Sequence, residues 1–523
     1  MCAAVLVTPA AATAGTRSGE QPARRLHWNA CGHRFQCARI TVPRDYANPR
    51  GAILRLPVAR LPARRTAGRL GALFVNFGGP GDPAAESVRA IGAGAFRALN
   101  ARYDIVGVDP RGTGGTGAID CKSNPETTGQ TAQPFPRPAS LQPQALIANY
   151  RSYISRCLAL NRRILPYVTT ANAARDMDRV RRALGLTTIS FLGFSYGTLL
   201  GATYESLFPA QVGRFVLDGA VDPDEYMKRP IQNERDQTRA FETALGRFFQ
   251  ACAAHQGACG GFGGDDPWAA FDALVARMTA APLPVRGRDP RPADGDDLLV
   301  AANIALYAKQ GWPFLAAALA QAAKGDGTGV RRLANAFYLR NRDGTYEPLN
   351  DTFFAIASLE PRLPTGIGMY LDLGAHDFDL FPHFWWNSGY YELAESLWPV
   401  RPRGAYYGPF SAPPSAPPTL VVGTTYDPAT PYEQAPRLAA TLGNARLLTM
   451  RGDGHTASFG DNSRCIDRAV ETYLLAGVVP APGTVCDQQV PFRRLPRRAS
   501  GASASQLLAG VRIGPRAALR RRR

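Results

Sequence analysis

Short apolar runs closed by glycine and proline punctuate the first 220 residues of the chain. Residues 53–58 (ILRLPV), 72–77 (ALFVNF) and 103–109 (YDIVGVD) read as strands, and the last two end in Gly78-Gly79-Pro80-Gly81 and Pro110-Arg111-Gly112. Continuous apolar runs of this length, rather than strictly alternating ones, suit strands buried on both faces. A helical pattern follows. Met177, Val180 and Leu184 recur at helical spacing, with Asn172 as N-cap and Gly185 as stop. Residues 189–193 (ISFLG) make the next strand, a helix-like run reaches Phe208, and residues 214–218 (RFVLD) make another strand. Strand–helix–strand alternation predicts an α/β fold with a mainly parallel sheet flanked by helices.

From about residue 224 the rhythm changes. Residues 239–253 and 297–323 read as helices, separated by Gly/Pro/Asp-rich pieces at 260–267 and 282–297, and aromatics cluster at 381–391 (FPHFWWNSGYY). Sheet rhythm returns at 419–423 (TLVVG) and 446–450. The expected organisation is therefore a split core. Residues 15–223 form its N-terminal part, 224–418 a large, mainly helical insertion, and 419–486 its C-terminal part. Residues 487–523 form a basic Pro/Arg/Ser/Ala tail for which no order is expected. There is no internal repeat and no apolar run of membrane-spanning length, so no transmembrane segment is predicted.

With 523 residues, 45% hydrophobic and 20% charged, the chain can bury a sizeable core, and disorder as its main state is excluded. A net charge of +18 invites a nucleic-acid or anionic-surface reading. Its placement argues otherwise: +10 lies in residues 15–70 and +9 in residues 487–523, which leaves 71–486 at −1. Only Lys122, Lys228, Lys309 and Lys324 are lysines among the 60 basic residues, a bias that GC-rich coding produces. No nucleic-acid binding is expected of so neutral a centre, and weak contact of the tail with an anionic cell envelope is the remaining electrostatic expectation.

Residues 1–14 carry no charged side chain and end in Ala12-Thr13-Ala14, an A-x-A pattern like that of a secretory signal, although no basic residue precedes the apolar stretch. Cysteines point the same way. Beyond Cys2, eight remain as four neighbouring pairs: Cys31/Cys37, Cys121/Cys157, Cys252/Cys259 and Cys465/Cys486. Sequential pairing is the expectation, although spacing alone leaves other connectivities open; each bridge would stabilise by about 2–4 kcal/mol. Such usage belongs to an exported protein, secreted or envelope-associated. No pair is C-x-x-C and the six histidines lack metal-site spacing, so no metal or cofactor is expected.

Gly193-Phe194-Ser195-Tyr196-Gly197 matches G-x-S-x-G, between an expected strand and an expected helix. In that context the serine occupies a sharp turn that lifts its hydroxyl above the sheet, and the glycines avoid clashes. A serine nucleophile needs a base, and His455, after the last expected strand, is the candidate; the other histidines lie in loops or in the insertion. The base needs an acid to orient it. Asp427, in Asp427-Pro428-Ala429-Thr430-Pro431, is preferred to Asp453, whose closeness in sequence to His455 makes alignment awkward. The order Ser, Asp, His is that of nucleophile-elbow enzymes. Two backbone donors must hold an oxyanion: the N–H of Tyr196, and one from the Gly78-Gly79-Pro80-Gly81 loop, with Gly79 preferred and Gly78 second.

These motifs, with Asn76-Phe77 before the glycines, Asp109-Pro110-Arg111-Gly112 and Val216-Leu217-Asp218-Gly219, form an ordered set over residues 28–486. The set resembles secreted tripeptidyl aminopeptidase-like enzymes, relatives of the proline iminopeptidases within the α/β-hydrolase fold. The resemblance implies a Ser195–Asp427–His455 triad, a helical cap in the insertion, a family-typical C-terminal region from about residue 418, and release of short peptides, such as tripeptides, from peptide N-termini. A secreted esterase or lipase-like hydrolase using the same triad is the alternative. Asp82 departs from the small residues common after the glycine loop; it can hold a substrate ammonium or cap the next helix. Ser358 and Ser396 stand near where some relatives carry a cap cysteine pair. An aminopeptidase also needs acidic side chains facing the cleft, for which Glu360, Asp377 and Asp379 are candidates. Phe384, Trp385 and Trp386 can line subsites or fill the cap core.

Overall fold

The computed structural model describes residues 25–495. The expected signal at 1–14 and the tail from 496 to 523 lie outside the described residues. Ten strands form one sheet: β1 (Asn29–Ala30), β2 (Gln36–Pro43), β3 (Ile53–Leu61), β4 (Gly71–Asn76), β5 (Tyr103–Val108), β6 (Ile189–Phe194), β7 (Val212–Asp218), β8 (Thr419–Tyr426), β9 (Ala445–Asp453) and β10 (Val485–Asp487). Their spatial order is β1-β2-β3-β5-β4-β6-β7-β8-β9-β10. β1, β2, β3 and β5 pair antiparallel; from β5 through β4 to β10 every pairing is parallel. The parallel strands therefore all end at one edge of the sheet, where an open α/β sheet places its ligand crevice.

The continuous apolar runs are explained by two covered faces. Phe74, Val106, Phe191, Leu217 and Val421 pack on one side, under the helices Thr170–Ala183, Tyr196–Leu207 and Gln434–Leu442. Their neighbours Val75, Ile105, Leu192, Val216 and Leu420 pack on the other, under Ala84–Ala95 and Arg464–Ala476. The period of two sends alternate residues to opposite layers, and both layers are buried.

Between β7 and β8 the chain is helical and builds a second core of its own from Phe241, Leu245, Phe248, Leu298, Trp312, Leu319 and Phe384, among others. Trp385 and Trp386 are buried there against Phe135, and the Trp385 indole N–H donates to the Pro136 carbonyl at 2.7 Å. These aromatics fill the cap. The boundary at residue 224 is not clean. Phe135, Leu141 and Leu146, from the N-terminal half, pack on the cap core, whereas Phe354, Ile356, Leu359 and Trp398, from the insertion, pack with the sheet. The folded part also continues past Cys486, contrary to the expected tail boundary. Gln488 hydrogen-bonds the backbone of Asp453, and Phe492 meets Phe248 and Trp312 edge-on.

Four disulfides join Cys31–Cys37, Cys121–Cys157, Cys252–Cys259 and Cys465–Cys486, the sequential pairing. Ser358 and Ser396, the positions considered for a lost cap bridge, lie on or just after the helices Leu349–Ala357 and Tyr390–Ser396. Asp109 and Arg111 brace the region under the glycine loop. Asp109 accepts the Ala85 N–H at 2.7 Å, fixing the helix that follows the loop. Arg111, fully buried, makes a bidentate pair with Asp176 at 2.6 and 2.8 Å and also donates to the Pro43 and Arg44 carbonyls.

Candidate active site

Ser195 sits between β6 and the helix Tyr196–Leu207 with φ 56° and ψ −130°. A side chain at positive φ is strained by about 1–3 kcal/mol and persists only where its surroundings over-determine it. Here they do. The Ser195 N–H donates to the Asp218 carbonyl at 2.8 Å, and the Ser195 carbonyl accepts from the Thr198 N–H and hydroxyl at 2.8 and 2.7 Å. Both motif glycines are sterically required. A Cβ on Gly193 would lie 2.5 Å from the Gly197 carbonyl oxygen, and one on Gly197 would lie 2.8 Å from that of Asn76.

His455 follows β9, one residue after Gly454. Its Nδ1 lies 2.9 and 3.0 Å from the two Asp427 carboxylate oxygens. Asp427 also accepts the N–H groups of Ala429, Thr430 and Thr456 and the Thr430 hydroxyl, so its oxygens are saturated by donors. This network puts the imidazole proton on Nδ1 and leaves Nε2 as the acceptor a general base needs. Burial opposes charging of His455, but Asp427 and then Asp218 outweigh it and hold the imidazole pKa above its ordinary value. The structure brings Asp427 and His455 into direct contact. Ser195 and His455 both border the turn Asp218-Gly219: a Cβ on Gly219 would lie 3.1 Å from His455 Cε1.

Asp453, the rival acid, points elsewhere. Its carboxylate pairs with Arg247 and with Lys309, the latter at 2.8 Å, both from the cap. The same edge carries the His455 N–H to the Tyr307 carbonyl at 2.6 Å and a bridge between Ala308 and Gly454.

The glycine loop crosses Ser195: a Cβ on Gly78 would lie 2.9 Å from Ser195 Cβ and 3.2 Å from the Tyr196 nitrogen. The Gly78 N–H is taken by Asn76 Oδ1 at 3.1 Å, which leaves exposed Gly79 as the better donor of the two. Tyr196 is the first residue of its helix, so its N–H has no helical acceptor.

The substrate-ammonium candidates separate. Asp82 is buried and accepts the Ser87 hydroxyl at 2.6 Å, while the helix Ala84–Ala95 has Pro83 at its N-cap and no side-chain cap bond. Asp377 is buried, takes the Ser388 hydroxyl at 2.7 Å and pairs with Arg235 at 3.0 Å, whereas Asp379 is exposed on the helix Ile367–Leu380. Neither meets the description of a cleft carboxylate. Glu360 does in part. One of its oxygens accepts the Thr170 N–H and hydroxyl at 2.8 and 2.5 Å, and that hydroxyl contacts the Tyr196 phenol. Its other oxygen is buried without a hydrogen bond.

Three acids escaped the sequence reading. Glu234, Glu392 and Glu395 come from the helices Pro230–Ala254 and Tyr390–Ser396. Glu234 and Glu395 act together with Glu360 on Tyr226, whose ring neighbours that of Tyr196, and Glu234 and Glu395 also act on Tyr391 and Glu392. Desolvation pushes Glu234 and Glu360 up to about 7, and Glu392 and Glu395 also upward. Only the period-three spacing of Glu392 and Glu395 after the aromatic run could have hinted at them, and solvated surface acids share that spacing. Among the described residues no group of three or more His, Cys, Asp or Glu is placed to hold a metal ion.

The alpha/beta hydrolase fold family matches residues 72–261, and the family described as TAP-like protein matches residues 385–486. The chain is 33% identical over 466 residues to the serine protease Hip1 of Mycobacterium tuberculosis, covering 86% of this chain and 87% of that protein. It is 33% identical over 468 residues to a tripeptidyl aminopeptidase of Streptomyces lividans, covering 86% and 83%. It is 34% identical over 500 residues to a protein named carboxylesterase B of Mycobacterium tuberculosis, covering 91% and 94%.

Proposed function

We propose, from the premise that this chain belongs to the tripeptidyl aminopeptidase-like serine peptidases of the α/β-hydrolase fold, that it is an exported exopeptidase releasing short peptides from free N-termini. Ser195 attacks the scissile carbonyl, His455 takes its proton and returns it to the leaving amine, and Asp427 orients the ring and stabilises the imidazolium. The N–H groups of Gly79 and Tyr196 hold the oxyanion. Water then hydrolyses the acyl-enzyme by the same base.

The observation that carries the exopeptidase reading is Glu360, one of whose oxygens is linked through the Thr170 hydroxyl to the Tyr196 phenol while the other is buried without a hydrogen bond, with Glu234 and Glu395 acting on the neighbouring Tyr226. Desolvation raises Glu234 and Glu360 to about 7, and a substrate ammonium placed beside them favours their charged form. An acyl ester without an amine does not. Four disulfides support an extracytoplasmic site of action. Tripeptides are the favoured product length, by resemblance to the Streptomyces enzyme.

Replacing Ser195 by Ala is expected to leave a folded protein that neither turns over peptide substrates nor reacts with a fluorophosphonate probe; full turnover by that variant overturns the mechanism. An esterase reading draws on the relative named carboxylesterase B. A panel of tripeptide, single-residue and short acyl ester chromogenic substrates separates the two, because preference for the ester over every peptide favours the esterase.

A further inference from the structure

Asp218 ends β7, between the strand that delivers Ser195 and the strand that precedes Asp427, and its side chain is fully buried. Its main-chain carbonyl accepts the Ser195 N–H at 2.8 Å. Its carboxylate accepts the N–H of Ala457 at 2.9 Å, the N–H of Ser458 at 2.8 Å and the Ser458 hydroxyl. One residue thus touches both the nucleophile's turn and the loop that carries the base. We propose that Asp218 is a positioning residue of the reaction, holding His455 in register with Ser195 and supplying a second negative charge to the imidazolium. The proposal rests on the assignment of Ser195 and His455 as nucleophile and base.

The loop needs such a brace. Thr456, directly after His455, has φ 66°, a conformation that a β-branched residue adopts only under constraint. The three N–H groups that follow His455 all end on carboxylates: Thr456 on Asp427, Ala457 and Ser458 on Asp218. Gly219, at φ 68°, packs its α-carbon against Thr456 and His455, so the turn after β7 has no room for a side chain there. Removing the Asp218 carboxylate frees two amides and a hydroxyl under the histidine, while the bonds of the loop to Asp427, Tyr307 and Asp467 remain.

The electrostatic part has a sign. The groups facing His455 are Asp427 from the loop after β8, Asp218 from β7 and Tyr307 from the cap, with Glu234 reaching Tyr307. Both aspartates favour the charged imidazole, the state that forms as Ser195 attacks. Desolvation pushes Asp218 itself up to about 6, so its charge is present at neutral pH.

The test is Asp218→Asn, which keeps the size and removes the charge. On a chromogenic peptide, kcat is expected to fall at least about tenfold, the scale of a misplaced catalytic group, with KM within about threefold. The acid limb of kcat/KM should move to lower pH, because His455 loses a neighbouring negative charge. Unchanged kcat, or a fall in kcat with the acid limb unmoved, overturns the proposal. If Asp218→Asn fails to fold, Ser458→Ala decides: it removes one donor from the same carboxylate, and kcat should fall about threefold or more at constant KM, whereas wild-type kcat overturns the proposal. Ser195→Ala, run alongside, keeps the two assignments apart, since its inactivity sustains the triad whatever Asp218 does.

Discussion

A serine at φ 56° is unfavourable in isolation, and the surrounding contacts show what holds it there: a hydrogen bond from its N–H to the Asp218 carbonyl, two hydrogen bonds from Thr198 to its own carbonyl and two glycines that admit no side chain. Strain at such a site keeps the hydroxyl lifted towards the ends of the strands. His455 sets the pH response. Burial lowers its pKa, Asp427 and Asp218 raise it further, and the net position is above the ordinary 6.5. The base must be neutral, so kcat/KM should fall as pH drops, with its midpoint above 6.5 in a stopped-assay pH series. A midpoint well below that value contradicts the contact with Asp427. At this scale the candidates Ser195, Asp427 and His455 were legible, because each follows a recognisable strand, and the structure brings Asp427 and His455 into contact. Asp218, Glu234, Glu392 and Glu395 were not. What a buried acid does depends on which loop amides or helices meet it, and spacing along the chain carries no record of that.

The elements explain why those residues meet. Parallel strands deliver Ser195, Asp218, Asp427 and His455 from β6, β7, β8 and β9 to one edge, in the order their sheet positions dictate. The cap is fastened to that edge rather than merely resting on it. Tyr307 accepts the His455 amide, Ala308 bridges Gly454, and Lys309 and Arg247 pair with Asp453 at the end of β9. The rival acid of the sequence reading is thus an anchor for the insertion. Asp453→Asn should cost about 1 kcal/mol of stability, a modest figure because both cations keep some contact with water. It should lower kcat more than it raises KM, measured by thermal melts and steady-state kinetics. An unchanged kcat contradicts coupling between cap and base. Strand runs and the helical insertion were visible in the sequence, but the seam was not. Phe135 joins the cap and Trp398 joins the sheet because packing follows proximity in space, and an apolar residue does not announce its layer.

The whole molecule is a sheet with a cap, stapled by four disulfides and closed by a C-terminal stretch that reaches back to Phe248 and Trp312. Its net charge of +18 comes from residues at the two ends of the chain, and the centre that carries the chemistry is close to neutral. In that neutral centre, the proposed recognition of a substrate ammonium falls to Glu360 and the acids around Tyr226. Among the described residues no helix is long and apolar enough to cross a membrane. On the proposed function, a free N-terminus is recognised by the cap while Ser195 cuts a few residues away. Mass spectrometry of the products from one peptide, offered with a free and with an acetylated N-terminus, tests it directly. Stepwise loss of short N-terminal fragments from the free peptide alone is the predicted result; equal cleavage of the acetylated peptide, or internal cuts, would contradict it.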